Sequence, residues 1–304
     1  MIKRPTVLVL GAGASQPYGY PTGQQLLLQI CGGLVDQANS PLGQQLKGLG
    51  CEDNEIGHFG SELARSEVPS VDAFLESRPE YRKIGMLAMT IELVRCETLP
   101  NLIPRIEGKN DPSWYQYLFN KMVETKLEDF GNNDLGIITF NYDRSLEFYW
   151  FEALMNRFGS KHETKIKEML AQMRIVHVYG RLGGVPWENG EISEYAPHAR
   201  SAKEVRTLSE QIIVMSEQEK TSDLFDKAHN WLKCGTFIYF LGFGYHAMNL
   251  ERLGLNRLKD RRWYGSSYGL QQGELDELHN IWMIQTFKPD LDILGLFRAY
   301  KPLG

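Results

Sequence analysis

The run Val7-Leu8-Val9-Leu10, followed directly by Gly11-Ala12-Gly13-Ala14-Ser15, limits the possible folds more than any other stretch of the chain. Four branched apolar residues without polar alternation read as a strand buried on both faces, the mark of a parallel sheet covered by helices. The two glycines allow a tight loop and close approach of backbone to a ligand. A helix starting soon afterwards would point free N–H groups at a phosphate. The dinucleotide fingerprint is incomplete, because Gln16 stands where its third glycine belongs. A tight turn with no ligand is the competing explanation. Asp36 lies at about the spacing of a ribose ligand, but Gly32-Gly33 precede it and no convincing strand surrounds it.

The same punctuation recurs. Leu135 to Phe140 runs into Asn141-Tyr142-Asp143-Arg144, Arg174 to Val176 into His177-Val178-Tyr179-Gly180, and Thr236 to Leu241 into Gly242-Phe243-Gly244. Ile281 to Ile284 is expected to be the last strand. Helices are expected over Gln24–Ile30 with Pro21 in the first turn, Tyr81–Leu99, Trp114–Phe130, Ser145–Phe158 and Leu291–Tyr300, and Ser70 suits the N-cap of a short helix after it. From about residue 40 to 130 strand-like runs vanish, which predicts a helical insertion inside a single domain spanning 1–304. The expected class is α/β, a mostly parallel sheet with helices on both faces. In such a sheet the strand C-termini share one crevice, so the segments around positions 11, 141, 177 and 242 are expected to line one hollow.

Composition removes other classes. A net charge of −5 over 304 residues offers no basic stripe for direct nucleic-acid binding. Lys161, Lys165 and Lys167 alternate with Glu163 and Glu168, as on a solvated helix face. No apolar run is long enough to span a bilayer, and Met1-Ile2-Lys3-Arg4 leads straight into a strand, so neither membrane nor signal peptide is expected. The four cysteines form no C-x-x-C pair, which predicts no disulfide framework, no metal site and a reducing cytoplasmic setting. Gly265-Ser266-Ser267-Tyr268-Gly269 matches a nucleophile elbow, but only His279 follows, too soon for a triad to assemble.

Asn141 and Asp143 at a strand end suit either ligand binding or capping of the next helix. His177 suits either a satisfied core position or a proton acceptor near neutral pH. The ordered set Gly11-Ala-Gly-Ala-Ser15, Asn141-Tyr-Asp143, His177-Val-Tyr-Gly180 and Leu241-Gly-Phe-Gly244 resembles the sirtuin superfamily. Pro21-Thr22-Gly23, Ser70-Val-Asp-Ala-Phe-Leu75 and the Asn-Tyr-Asp form are most similar to its bacterial zinc-less branch, whose characterised members are mainly NAD⁺-cleaving effectors of anti-phage defence.

The resemblance implies a Rossmann-like fold and an NAD⁺ glycohydrolase that releases nicotinamide and ADP-ribose, with NAD as substrate and no metal. It assigns catalysis to Asn141 and His177. It assigns dinucleotide binding to Gly11, Ala12, Gly13, Ala14, Ser15, Pro21, Thr22, Gly23, Asp143, Gly180, Gly242, Phe243 and Gly244. A homo-oligomer, and a second protein of a defence system as partner, are further implications. The four-cysteine zinc module of the family's deacylases cannot be built, since Cys234 is the sole cysteine after Cys96. A non-catalytic NAD or ADP-ribose binding module, and a sirtuin-type ADP-ribosyl transferase or deacylase, are the alternatives. The hollow is expected to admit a dinucleotide, with the His177 imidazole and the Asn141 amide facing one sugar. Alanine at either position is expected to leave the fold intact and remove most turnover.

Overall fold

A computed structural model describes the chain except residues 35–38, 104–112, 189–199, 215–217, 259–261, 302 and 304, and the side chains of 218–221 and 262. Asp36 lies outside the described residues. Six parallel strands form one sheet: β1 (Thr6–Leu10), β2 (Leu135–Thr139), β3 (Arg174–His177), β4 (Phe237–Leu241), β5 (Arg262–Gly265) and β6 (Ile284–Gln285), in the order β3-β2-β1-β4-β5-β6. The connection from β3 crosses to the other side of β1, so the order reverses between β1 and β4. This is a Rossmann-like α/β fold, as the buried apolar strands predict.

β1 shows why the pattern works. All five of its residues are buried, and alternate side chains enter two separate cores. Leu8 and Leu10 pack with Ile137, Tyr239 and Leu241 under one layer of helices, and Val7 and Val9 pack with Ile138, Ile238 and Phe240 under the other. The first layer includes α1 (Gly23–Gly33) and the helices between β1 and β2: α2 (Pro41–Gly48), α3 (Asp53–Arg65), α4 (Val71–Ser77), α5 (Arg82–Val94), α6 (Leu99–Leu102), α7 (Trp114–Met122) and α8 (Leu127–Gly131). With them lie α9 (Ser145–Phe158), α10 (Glu163–Ala171) and α11 (Ala202–Ser209). The second core is covered by α12 (Gln218–Cys234), α13 (Ala247–Arg252) and α14 (Gln272–Trp282); α15 (Ile293–Gly295) returns to the first. The insertion is part of the main core. Its buried Glu97 is ion-paired with the equally buried Arg200, just before α11.

Several boundaries differ from expectation. Thr22 is the N-cap of α1, in a capping box with Gln25, which leaves Pro21 outside the first turn. Residues 114–130 form two helices instead of one, because Val123 leaves helical geometry with φ −119° and ψ 112°. A Gln271–Glu274 capping box starts α14, which runs to Trp282 and claims Ile281 and Trp282; β6 begins only at Ile284. β5 was not anticipated, since Arg262-Trp263-Tyr264-Gly265 has no extended apolar run. Ser70 caps α4 as expected, accepting from the Ala73 N–H at 3.3 Å.

At the reversal point the loop after β1 leans on the end of β4. Gly11 donates to the Leu241 carbonyl at 3.0 Å and Gly13 to the Gly242 carbonyl at 2.9 Å. A Cβ on Gly11 would meet the Gly242 oxygen at 2.6 Å, and one on Gly242, where φ is +55°, would meet the Ala14 nitrogen at 2.1 Å. Both glycines are required for backbone to touch backbone. Gly242→Ala should therefore cost at least about 2 kcal/mol, from left-handed strain and collision together. Gly32→Ala, on an exposed helical position with nothing within 4 Å, should stabilise by about 0.5 kcal/mol. Urea unfolding of the two variants checks this, and equal midpoints would contradict it.

Candidate functional site

Strand register brings the chemically interesting residues to one edge. Leu10 pairs with Thr139 and with Leu241, and Thr139 pairs with His177, so Gly11, Asn141, His177 and Gly242 all stand at the C-terminal ends of adjacent strands. Asn141 sits at the centre. Its backbone N–H donates to the Thr139 hydroxyl at 3.0 Å. Its side-chain Nδ2 donates to the Gly11 carbonyl and to Ser15 Oγ, each at 3.0 Å, which joins the first two strand ends. Because Gly11 offers a carbonyl, the amide orientation is fixed. That leaves Asn141 Oδ1 buried and without a hydrogen-bond donor.

Asn141 also lines a cavity, together with Ser15, Tyr115, Asp143, Glu147 and His177, above the apolar floor of the sheet. Its volume is about 10 Å³, room for about one water. Asp143 Oδ1 accepts from the Ser145 N–H at 3.1 Å and from the Ser145 hydroxyl, which also meets Tyr115 Oη at 2.7 Å. Asp143 thus receives the first N–H of α9, whose N-cap is Arg144, and lines the cavity as well. Burial pushes the Asp143 carboxyl up from its ordinary range, partly offset by the Ser145 and Ser15 donors and by His177.

His177 is placed differently from expectation. Nδ1 lies 2.9 Å from the Asn141 carbonyl oxygen and Nε2 lies 3.2 Å from Glu147 Oε2. Both ring nitrogens are committed to acceptors on residues that, like His177 itself, line the cavity. Behind it stands a buried charge network. Arg144, 2% exposed, contacts Glu147 Oε1 at 2.7 Å, grips Glu188 through two nitrogens at 3.0 and 3.1 Å, and donates to the Gly183 carbonyl at 3.1 Å. Burial alone would raise the Glu147 carboxyl, but Arg144 and then His177 hold it well below the usual carboxylate range. Arg144→Met or His177→Ala would leave Glu147 with one partner fewer. The expectation that His177→Ala spares the fold is therefore revised to a loss of about 1–3 kcal/mol.

The remaining candidates are distributed around this centre. The amides of Gly11, Gly13, Ala14 and Ser15 are all bonded to backbone carbonyls, so they form a turn and do not stand open as a phosphate cradle. Thr22 serves as the helix cap. Gly180, with φ +81°, packs on the Gln211 carbonyl, away from the cavity. The Phe243 ring is buried among Phe140, Phe240 and Tyr245, while Gly244 and His246 are exposed. In the elbow-like segment Ser266 Oγ accepts from the Gly242 N–H at 2.8 Å and Ser267 Oγ donates to the Lys288 carbonyl at 2.6 Å, so both are structural. Among the described residues, no group of three or more His, Cys, Asp or Glu is arranged to hold a metal ion, and no helix is long and apolar enough to cross a membrane.

Tyr115, Glu147, Arg144 and Ser145 were missed by sequence reasoning. The insertion delivers Tyr115: its ring stacks on Tyr18 at 3.6 Å, and neighbouring Trp114 donates from Nε1 to the Ala14 carbonyl at 2.8 Å. No local pattern marks that contact. Arg144 and Glu147, an i,i+3 pair in the first turn of a helix, did carry a readable signal. Tyr142, between the two motif residues, donates to Asp72 at 2.5 Å and so ties the site to α4.

Fold and site together define an α/β protein with a polar pocket at the C-terminal edge of its sheet. No family model matches the chain, and no curated protein matches its sequence.

The charge network has a pH signature. A carboxyl held below its ordinary value of 4.5 adds stability above that value and loses it as pH falls through the depressed folded value. The raised Asp143 acts in the opposite sense, opposing folding at neutral pH and relieved by acid. Glu147→Gln should lower stability at pH 7 and give a shallower acid decline than wild type. Urea midpoints at pH 7 and pH 4 measure both slopes; parallel declines would contradict the assignment.

Proposed function

We propose that this chain is an NAD⁺ glycohydrolase, cleaving the nicotinamide–ribose bond and passing the ribosyl group to water, as the sirtuin-like motifs imply. One observation carries the proposal: the rigidly held Asn141 amide keeps a buried, unpaired oxygen in a pocket shared with Asp143, beside the reversal point of a parallel sheet. Ligands of such sheets bind outside the carboxyl ends of the strands. Nicotinamide leaves readily from NAD⁺ because it departs as a neutral ring from a cationic one. The work left for the protein is to orient the ribose, support positive charge at C1′ and guide water. Asn141 Oδ1 can accept from a ribose hydroxyl or from the attacking water without neutralising the cationic ring.

A pocket of about 10 Å³ holds no sugar, so on this proposal the pocket widens when NAD⁺ binds. A second function, a module that binds NAD⁺ without turnover, is favoured by one feature: both His177 nitrogens are committed to protein acceptors. Action in anti-phage defence, with oligomerisation and a partner protein, belongs to the same proposal and rests on the resemblance.

Incubation of the purified protein with NAD⁺, with products identified by mass, separates these functions. Equal amounts of nicotinamide and ADP-ribose, reduced at least about 10²-fold by Asn141→Ala, are the expected result. Tight calorimetric binding of NAD⁺ that is recovered unchanged favours the module. Neither binding nor cleavage would refute both.

A further inference from the structure

We propose that Asp143, and not His177, is the group that accepts the proton of the attacking water, with His177 a positioning residue for Asn141. This rests on the glycohydrolase function above. Four observations converge on it. The His177 nitrogens face the Asn141 carbonyl and Glu147, and Glu147 is itself tied to Arg144, so both nitrogens are committed to protein acceptors. The Asp143 carboxylate lines the same small cavity as the unpaired Asn141 Oδ1. That cavity is the size of one water, which could bond to both residues together. Finally, the carboxylate is fixed by the Ser145 N–H and hydroxyl, with Tyr115 closing the chain through the Ser145 oxygen.

The step balances without a further reagent. The C1′–N bond of NAD⁺ breaks and its electron pair stays on the departing nicotinamide. The water oxygen forms the new bond to C1′, and its proton passes to an Asp143 oxygen. The protonated carboxyl then returns the proton to solvent. Groups bearing on Asp143 come from four elements: Tyr115 on α7, Cys96 after α5, Glu147 on α9 and His177 on β3. A carboxyl raised by burial is a stronger proton acceptor than one in its ordinary range.

The test is the pH dependence of NAD⁺ cleavage, with calorimetric NAD⁺ affinity, for wild type, Asp143→Asn, Ser145→Ala and His177→Gln. Asp143→Asn keeps an acceptor for the Ser145 donors. It should still bind NAD⁺ measurably, lose about 10²–10⁴-fold in turnover beyond any change in affinity, and lose the acid limb of the profile. Ser145→Ala removes an O–H donor from the charged carboxylate and should move the acid limb to higher pH. If Asp143→Asn does not fold, this shift decides alone. His177→Gln, whose amide can still donate to the Asn141 carbonyl, should stay within about tenfold of wild type and keep the limb. An acid limb lost in His177→Gln but unmoved in both Asp143→Asn and Ser145→Ala overturns the proposal and leaves the glycohydrolase standing. Absence of NAD⁺ cleavage by wild type defeats the glycohydrolase and this assignment with it.

Discussion

The side-chain amide of Asn141 is the bond on which the site depends. One donor nitrogen reaches both the Gly11 carbonyl and the Ser15 hydroxyl, so the loops after two adjacent strands are held by a single residue. Such a contact is possible only because the loop after β1 lies flat against the end of β4, glycine on glycine, with no Cβ to lift it. Everything else around the pocket supports this arrangement. His177 braces the Asn141 carbonyl from behind, and Glu147 and Arg144 brace His177 in turn.

Burying that many charges is costly, and a buried ion network is weak evidence for stability. Its effect here is geometric. Arg144 satisfies two carboxylates and a carbonyl from two segments, α9 and the connection that holds Gly183 and Glu188, so Glu147 in the pocket wall is fixed by charged bonds from behind. The same network commits the histidine, which is why catalytic work, on the proposed chemistry, shifts to the Asp143 carboxylate.

Much of this was legible in the sequence and some of it was not. Strands β1, β2, β3 and β4 announce themselves by apolar runs that end in glycine, asparagine or histidine, and the insertion by the loss of those runs. β5 and β6 were obscured because they are short and carry no aliphatic run: Arg262-Trp263-Tyr264-Gly265 opens on a charge and ends on glycine, and Ile284-Gln285 is an edge strand of two residues. The candidate site was found in part, since strand ends in a parallel sheet must share an edge. Orientation was not readable. Which acceptor takes the His177 Nε2 is decided by Glu147, three residues beyond Arg144 on another element. Tyr115 comes from a helix whose position relative to β1 no local pattern encodes.

The insertion also separates β1 from β2 in the chain, although these are neighbours at the middle of the sheet. Parallel pairing at the centre must therefore wait until a long stretch of helices has been gathered. Closing a longer loop adds only about 0.6 kcal/mol per doubling at equilibrium, but contacts distant in sequence slow the search. Asn141 can meet Gly11 only after that closure. Leu10, Ser15 and Tyr115 precede β2 in the chain, but the pocket they line closes only once β2 has joined β1.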